Sequence, residues 1–171
     1  MESDAAMREV QPDPGGHRYL LKALGEAGNE LAEELFGVSR RVADIPDAEG
    51  WTLRLLAANV RAFEEMTATY LDHILARRKR DLPVIDTEAM LDSDEPCDDP
   101  EQSAMEYSDL RRRVQYTLWD LRDRDWSRTG NHPYRDEVSV EQLVRELHHH
   151  DLRSLWRVQR LKEEAAARRR R

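Results

Sequence analysis

An all-α fold, specifically a four-helix bundle, is what this sequence predicts, and three observations carry that prediction. Charged residues make up 36% and hydrophobic residues 39% of the 171 positions, with seven Gly and seven Pro, a composition that leans toward helices. Apolar residues recur at steps of three and four in four separate stretches. Each stretch runs to about 20 residues, or about 30 Å of helix, and turn-forming or proline-bearing segments divide them. A chain of this length buries about two thirds of its unfolded surface, which suffices for one core without a covalent staple.

Residues 1–16 are polar, carry Pro12 and Pro14 and end in Gly15-Gly16, and they read as a flexible arm. From His17 to about Phe36, the stripe Tyr19, Leu20, Ala23, Leu24, Ala27, Leu31, Leu35 marks the first helix, closed by Gly37. Ile45 to Gly50 is a turn. The second helix opens at Trp51-Thr52 and aligns Thr52, Leu56, Asn59, Phe63, Met66, Tyr70 and His73 on one face. An acidic connection from Leu82 to about Ser103 follows, where Pro83, Pro96, Pro100 and Asp92-Ser93-Asp94-Glu95 oppose regular structure. The third helix runs from Ala104 to about Asp123, with Tyr107, Leu110, Val114, Leu118 and Leu121 inward. Asp125 to Glu137 is a second connection holding Trp126, which would cover an end of the bundle or a pocket mouth. Ser139 and Gln142 fit a capping box. The fourth helix then turns Leu143, Leu147, His150, Ser154, Val158 and Leu161 inward. The bundle therefore spans residues 17–164 with two long crossovers, and residues 165–171 form a basic tail.

Acidic residues outnumber basic ones 35 to 27, a balance that repels phosphate backbones and argues against a nucleic-acid partner. The basic runs Arg77 to Arg80 and Arg168 to Arg171 sit near helix C-termini, where positive charge complements the helix dipole. No stretch reaches the ~20 apolar residues of a membrane span. With Cys97 as its lone cysteine and no basic or apolar leader pattern at the start, the chain reads as soluble and cytoplasmic. Cys97 lies in the acidic connection, away from the positive surroundings that activate a thiol.

Three segments, taken in order, are similar to a known family. In "IPDAEGWTLRLLAANV" a tryptophan and a hydroxyl residue open the second helix; "LWDLRDRDWSRTGNHPYRDEVSVEQLV" carries a DW-R-G-HP pattern and the start of the last helix; "HDLRSLWRVQRL" ends the pattern. The chain from about residue 17 to 161 thereby resembles the DinB-like (damage-inducible) four-helix bundles. These include the mycothiol- and bacillithiol-linked transferases and the mycothiol-dependent maleylpyruvate isomerase N-terminal type. The resemblance implies a divalent metal, zinc or nickel, held by three histidines, one on the second helix and two separated by four on the last. Residues i and i+4 lie one turn apart on one face and can reach one ion. The matching positions here are Asn59, His150 and Ser154, so only His150 keeps the pattern. Asp136 also stands where the family's turn has a glycine.

An amide oxygen and a hydroxyl are poor substitutes for two imidazoles, so no metal cofactor is expected; were one bound, His150 with Asn59, Ser154 or Asp151 would hold it, with His149 or Glu64 as recruits. His149 and His148 lie about 100° and 200° around the helix from the neighbour at 150, which makes them a solvent-facing or boundary pair. His73 is about 21 Å along the helix from position 59 and reads as a helix-end residue. The inward trio must find hydrogen-bond partners, because an unpaired buried polar group costs about 1–3 kcal/mol. The expectation is a pocket that binds a small molecule, lined by Asn59, His150, Ser154 and Trp126, with His150 as a general base. Two alternatives stand beside it: a divalent-metal-dependent thiol S-transferase or hydrolase using a low-molecular-weight thiol, as the resemblance implies, and a non-catalytic homodimeric interaction module.

Overall fold

The computed structural model describes residues 14–76, 80–87 and 99–170. Four long helices dominate it: α1 (Pro14–Leu35), α3 (Leu53–Ala76), α4 (Pro100–Trp119) and α5 (Val140–Arg169), with a single-turn α2 (Arg40–Ala43) after α1. A 3-10 turn (Asp123–Asp125) and two short strands, β1 (Thr129–Asn131) and β2 (Glu137–Ser139), lie between α4 and α5. The all-α bundle expected from the periodicity is present. The antiparallel β1–β2 pair, which joins Thr129 to Ser139 and Asn131 to Glu137, and α2 were not expected.

Helix ends follow local chemistry more closely than the apolar pattern does. α1 starts at Pro14 rather than His17, since proline suits a first helical position where its missing N–H would have no partner. Gly37 follows α1 with a φ of 74°, a left-handed setting that favours glycine. α4 starts at Pro100 rather than Ala104, because the Asp99 carboxylate accepts a hydrogen bond from the Glu101 amide at 3.0 Å and caps the helix. It ends at Trp119, four residues before the expected Asp123. The capping box at α5 is formed as read: the Gln142 amide donates to Ser139 Oγ at 3.1 Å, and the Ser139 amide donates to Gln142 Oε1 at 2.8 Å. α5 continues through Arg169 with Ala165 buried, so most of the segment read as a tail extends the helix. Residues 1–13 of the expected arm, Arg77 to Lys79 and Cys97 lie outside the described residues.

The long helices form a ring in which α1 packs on α4 and α5, and α3 packs on α4 and α5. α1 and α3 are therefore diagonal to each other, and so are α4 and α5. The chain crosses the bundle between α1 and α3 and again between α4 and α5. The acidic connection, expected as a crossover, instead joins the neighbours α3 and α4. The α4–α5 crossover is held at the bundle end: the buried His17 ring stacks on Trp126 at 4.4 Å, and His17 Nε2 lies 3.5 Å from Glu141. Arg128 donates to the carbonyls of Ile74 and Leu75, filling acceptors that the end of α3 leaves open.

One guanidinium joins all four long helices. Arg111 on α4 donates from Nε and Nη2 to Glu64 on α3 at 2.9 and 2.6 Å, and from Nη1 and Nη2 to Asp151 on α5 at 2.7 and 3.0 Å. Its remaining N–H donates to the Leu24 carbonyl on α1 at 3.0 Å. Every guanidinium donor is thus used. The Tyr107 hydroxyl donates to Asp151 Oδ1 at 3.2 Å, and burial holds the phenol neutral. Gly28 makes room for the group: a Cβ there would stand 2.4 Å from Arg111 Nη1. Burial raises the pKa of Glu64 and of Asp151 against the pull of the guanidinium, as expected where two carboxylates share one cation.

Candidate functional site

The inward face of α3 is rotated by one residue from the expected stripe. Leu53, Ala57, Val60, Glu64, Thr67, Leu71 and Ile74 are buried; of the expected stripe Leu56 and Tyr70 are buried too, whereas Thr52, Asn59, Phe63, Met66 and His73 are only half-buried. The expected stripe runs through Phe63 and Met66, but the carboxylate of Glu64 is drawn inward by Arg111 and sets the inward direction. Asn59 and Phe63 consequently sit at the edge of the bundle beside α5. On α1, Tyr19 is likewise exposed at 76%, and Leu21 takes the inward place.

At this edge the three predicted residues come together. Trp51, Leu56, Asn59, Phe63 from the α3 side and His150, Arg153, Ser154, Trp156 and Arg157 from α5 line a cavity of about 520 Å³. That size lies within the range of small-molecule sites. Asn59 Oδ1 is 3.0 Å from His150 Nε2, so the ring donates from Nε2 and keeps Nδ1 unprotonated. The imidazole lies flat on Phe63, with centroids 4.0 Å apart and planes 1° from parallel. Burial, with Arg153 and Arg111 nearby, lowers the His150 pKa to about 4, and the ring is neutral at pH 7. Ser154 lies one turn further along α5 and is buried against the cavity wall.

Trp51 reaches the site through the turn before α3. The Asp47 carboxylate accepts from the amides of Glu49 and Trp51, both at 2.9 Å, and Gly50 closes the turn at a φ of 86°. Thr52 Oγ1 then caps α3 by accepting from the Leu55 amide at 3.0 Å. Arg157 stacks over the indole of Trp51 at 4.5 Å.

Trp126 is not part of this cavity. It is buried at the bundle end against His17, ten residues of helix or about 15 Å along α5 from the His150 level, which is the first of the two places its sequence position suggests. His148 is half-buried and His149 exposed, 6.3 Å apart and tilted, consistent with a surface pair. The His73 ring meets the Thr69 carbonyl at 3.0 Å within its own helix. The residues missed by the apolar reading are Arg111, Arg153, Arg157 and Trp51. Arg111 had a signal: Ala104, Tyr107, Arg111, Val114 and Leu118 alternate steps of three and four, and Arg111 occupies a core position in that series.

No family model and no curated protein sequence matches the chain. Among solved structures it is similar to YfiT from Bacillus subtilis, described as a probable metal-dependent hydrolase with an unusual four-helix bundle topology. The two share 16% identity over 92% of this chain and 91% of that one, with a TM-score of 0.81. This chain has the DinB-like four-helix bundle fold. At such low identity the likeness shows the fold alone.

Whether this DinB-like bundle suits the metal that the resemblance implies is decided by its donors. The positions converge, but they offer one imidazole, one amide and one hydroxyl, a weak set for zinc or nickel. The carboxylates considered as recruits are occupied: Asp151 and Glu64 both accept from Arg111 in the core. Among the described residues, no group of three or more His, Cys, Asp and Glu is placed to hold an ion. The site residues do not fit that metal.

Proposed function

We propose that the protein binds a small molecule in the cavity lined by Asn59, His150 and Ser154, with His150 serving as a neutral hydrogen-bonding group rather than as a metal ligand. The observation that carries this reading is the half-used imidazole. Its Nε2 is committed to Asn59 and one face to Phe63, and among the described residues Nδ1 has no hydrogen-bond partner, in a ring that lines a roomy cavity. A conjugate-acid pKa of about 4 makes the ring a weak base at neutral pH, so positioning a ligand donor suits it better than proton abstraction. Ser154 adds a hydroxyl that can donate or accept one turn away.

The description of YfiT as a probable metal-dependent hydrolase favours a second reading, a divalent-metal-dependent hydrolase or thiol S-transferase, and the donor set opposes it. Elemental analysis of protein purified without chelator separates the two. The proposed reading expects substoichiometric zinc and nickel in wild type, unchanged in His150→Ala. Near-stoichiometric metal that disappears in His150→Ala would overturn it.

A further inference from the structure

We infer that the cavity selects a flat aromatic ligand bearing a carboxylate or phosphate, with Arg153 as the anchor for the anion; the inference rests on the small-molecule reading above. Residues 150, 153, 154 and 157 fall at steps of three and four, so both arginines flank the His150–Ser154 face of α5. The cavity lining includes Arg153 and Arg157 and no acidic residue, in a chain whose net charge is −8. A positive recess on an acidic protein draws small anions inward.

The two arginines differ in availability. Arg157 reaches Glu49 at 3.2 Å and covers Trp51, so much of its capacity is used within the rim. Arg153 is exposed and makes no ion pair or hydrogen bond among the described residues. It also lines an adjoining recess of about 620 Å³ with Phe63, Glu146, His149 and Leu152. The one carboxylate there, Glu146, is held by both terminal nitrogens of Arg135 at 2.8 Å, which leaves the Arg153 charge unopposed. A guanidinium with free donors matches a carboxylate or phosphate in two parallel hydrogen bonds. The flat part of the ligand follows from the walls: Trp51 and Trp156, each with a guanidinium over one face (Arg157 and Arg160), and the His150–Phe63 stack place aromatic side chains around the same space.

The test uses four matched probes on the full-length protein: benzoate, phenyl phosphate, uncharged benzamide and cationic benzylamine. Binding is followed by two-dimensional NMR at the Trp51 indole N–H and the His150 ring. Benzoate or phenyl phosphate is expected to bind at least about tenfold more tightly than benzamide, with benzylamine weakest and with added salt reducing the preference. Whichever anion binds more tightly names the ligand class. Arg153→Gln is expected to bring the benzoate-to-benzamide ratio near one, whereas Arg124→Gln, an equal loss of charge on the distant 3-10 turn, leaves it intact. Equal binding of benzoate and benzamide at these signals would overturn the anion inference and leave the small-molecule reading standing. A preference that survives Arg153→Gln would overturn the role of Arg153. No shift at either signal with any probe would overturn the inference and the reading beneath it together.

Discussion

Two consecutive residues of α5, His150 and Asp151, belong to polar clusters of opposite character. Asp151 is in the centre of the bundle, where Arg111 and Tyr107 supply its hydrogen bonds and Arg111 in turn uses every N–H it has. His150, about 100° around the helix from it, stands at the edge beside a cavity, with one nitrogen paired and the other without a partner among the described residues. A saturated cluster has nothing to offer a ligand and serves to fix how four helices meet. An unsaturated one at a cavity wall has capacity that only a ligand or water can use. The difference separates structure from function more clearly than burial does, since both residues are buried.

The largest effect that would test this contrast comes from the core. Arg111→Met leaves Glu64 and Asp151 buried without their cation and is expected to cost about 3–5 kcal/mol in urea unfolding. Adding Glu64→Gln and Asp151→Asn should recover a substantial part of that loss; if recovery brings no stability, the network's role as a paired structural element is wrong.

A second, somewhat smaller effect concerns pH. Because the folded-state pKa of His150 is depressed from 6.5 to about 4, the unfolded chain takes up a proton first as the medium is acidified. The contribution is complete above pH 6.5 and is lost as pH falls toward 4, where the loss amounts to about 3 kcal/mol. Stability measured from pH 7 to 4 should therefore fall less in His150→Gln than in wild type. Parallel profiles would mean that the imidazole is not held neutral by burial.

The third expectation sharpens the geometry of the edge cluster. Asn59→His combined with Ser154→His supplies three imidazoles where the bundle has one, and zinc at a hundredfold excess over Kd should then stabilise the protein by about 2.7 kcal/mol. The gain should vanish when His150→Ala is added. A double variant that is indifferent to zinc would show that these positions do not converge on one point.

Much of this was legible beforehand. Leu143, Leu147, His150, Ser154, Val158 and Leu161 are all buried as their spacing predicts, and the Ser139–Gln142 cap forms with both of its hydrogen bonds. Asn59, His150 and Ser154 meet although 91 residues separate the first two. The apolar pattern failed where charge occupies core positions. A reading that counts only hydrophobic residues steps past Arg111 and Glu64, and on α3 it settles on the neighbouring stripe. The strands were illegible for another reason: three-residue strands carry too little alternation to show a period, and their pairing depends on Gly130 fitting against Leu82 and Ile74.

Local sequence, then, determined which long segments are helical and where their caps lie, because these follow from periodicity and from hydrogen bonds within a few positions. Tertiary structure alone decided that α1 and α3 lie diagonally, that two carboxylates and a guanidinium close the centre, and that Trp126 serves the bundle end rather than the cavity. Those outcomes depend on groups distant in the chain satisfying one another's charge and volume, and no short stretch of sequence contains both halves of such a match.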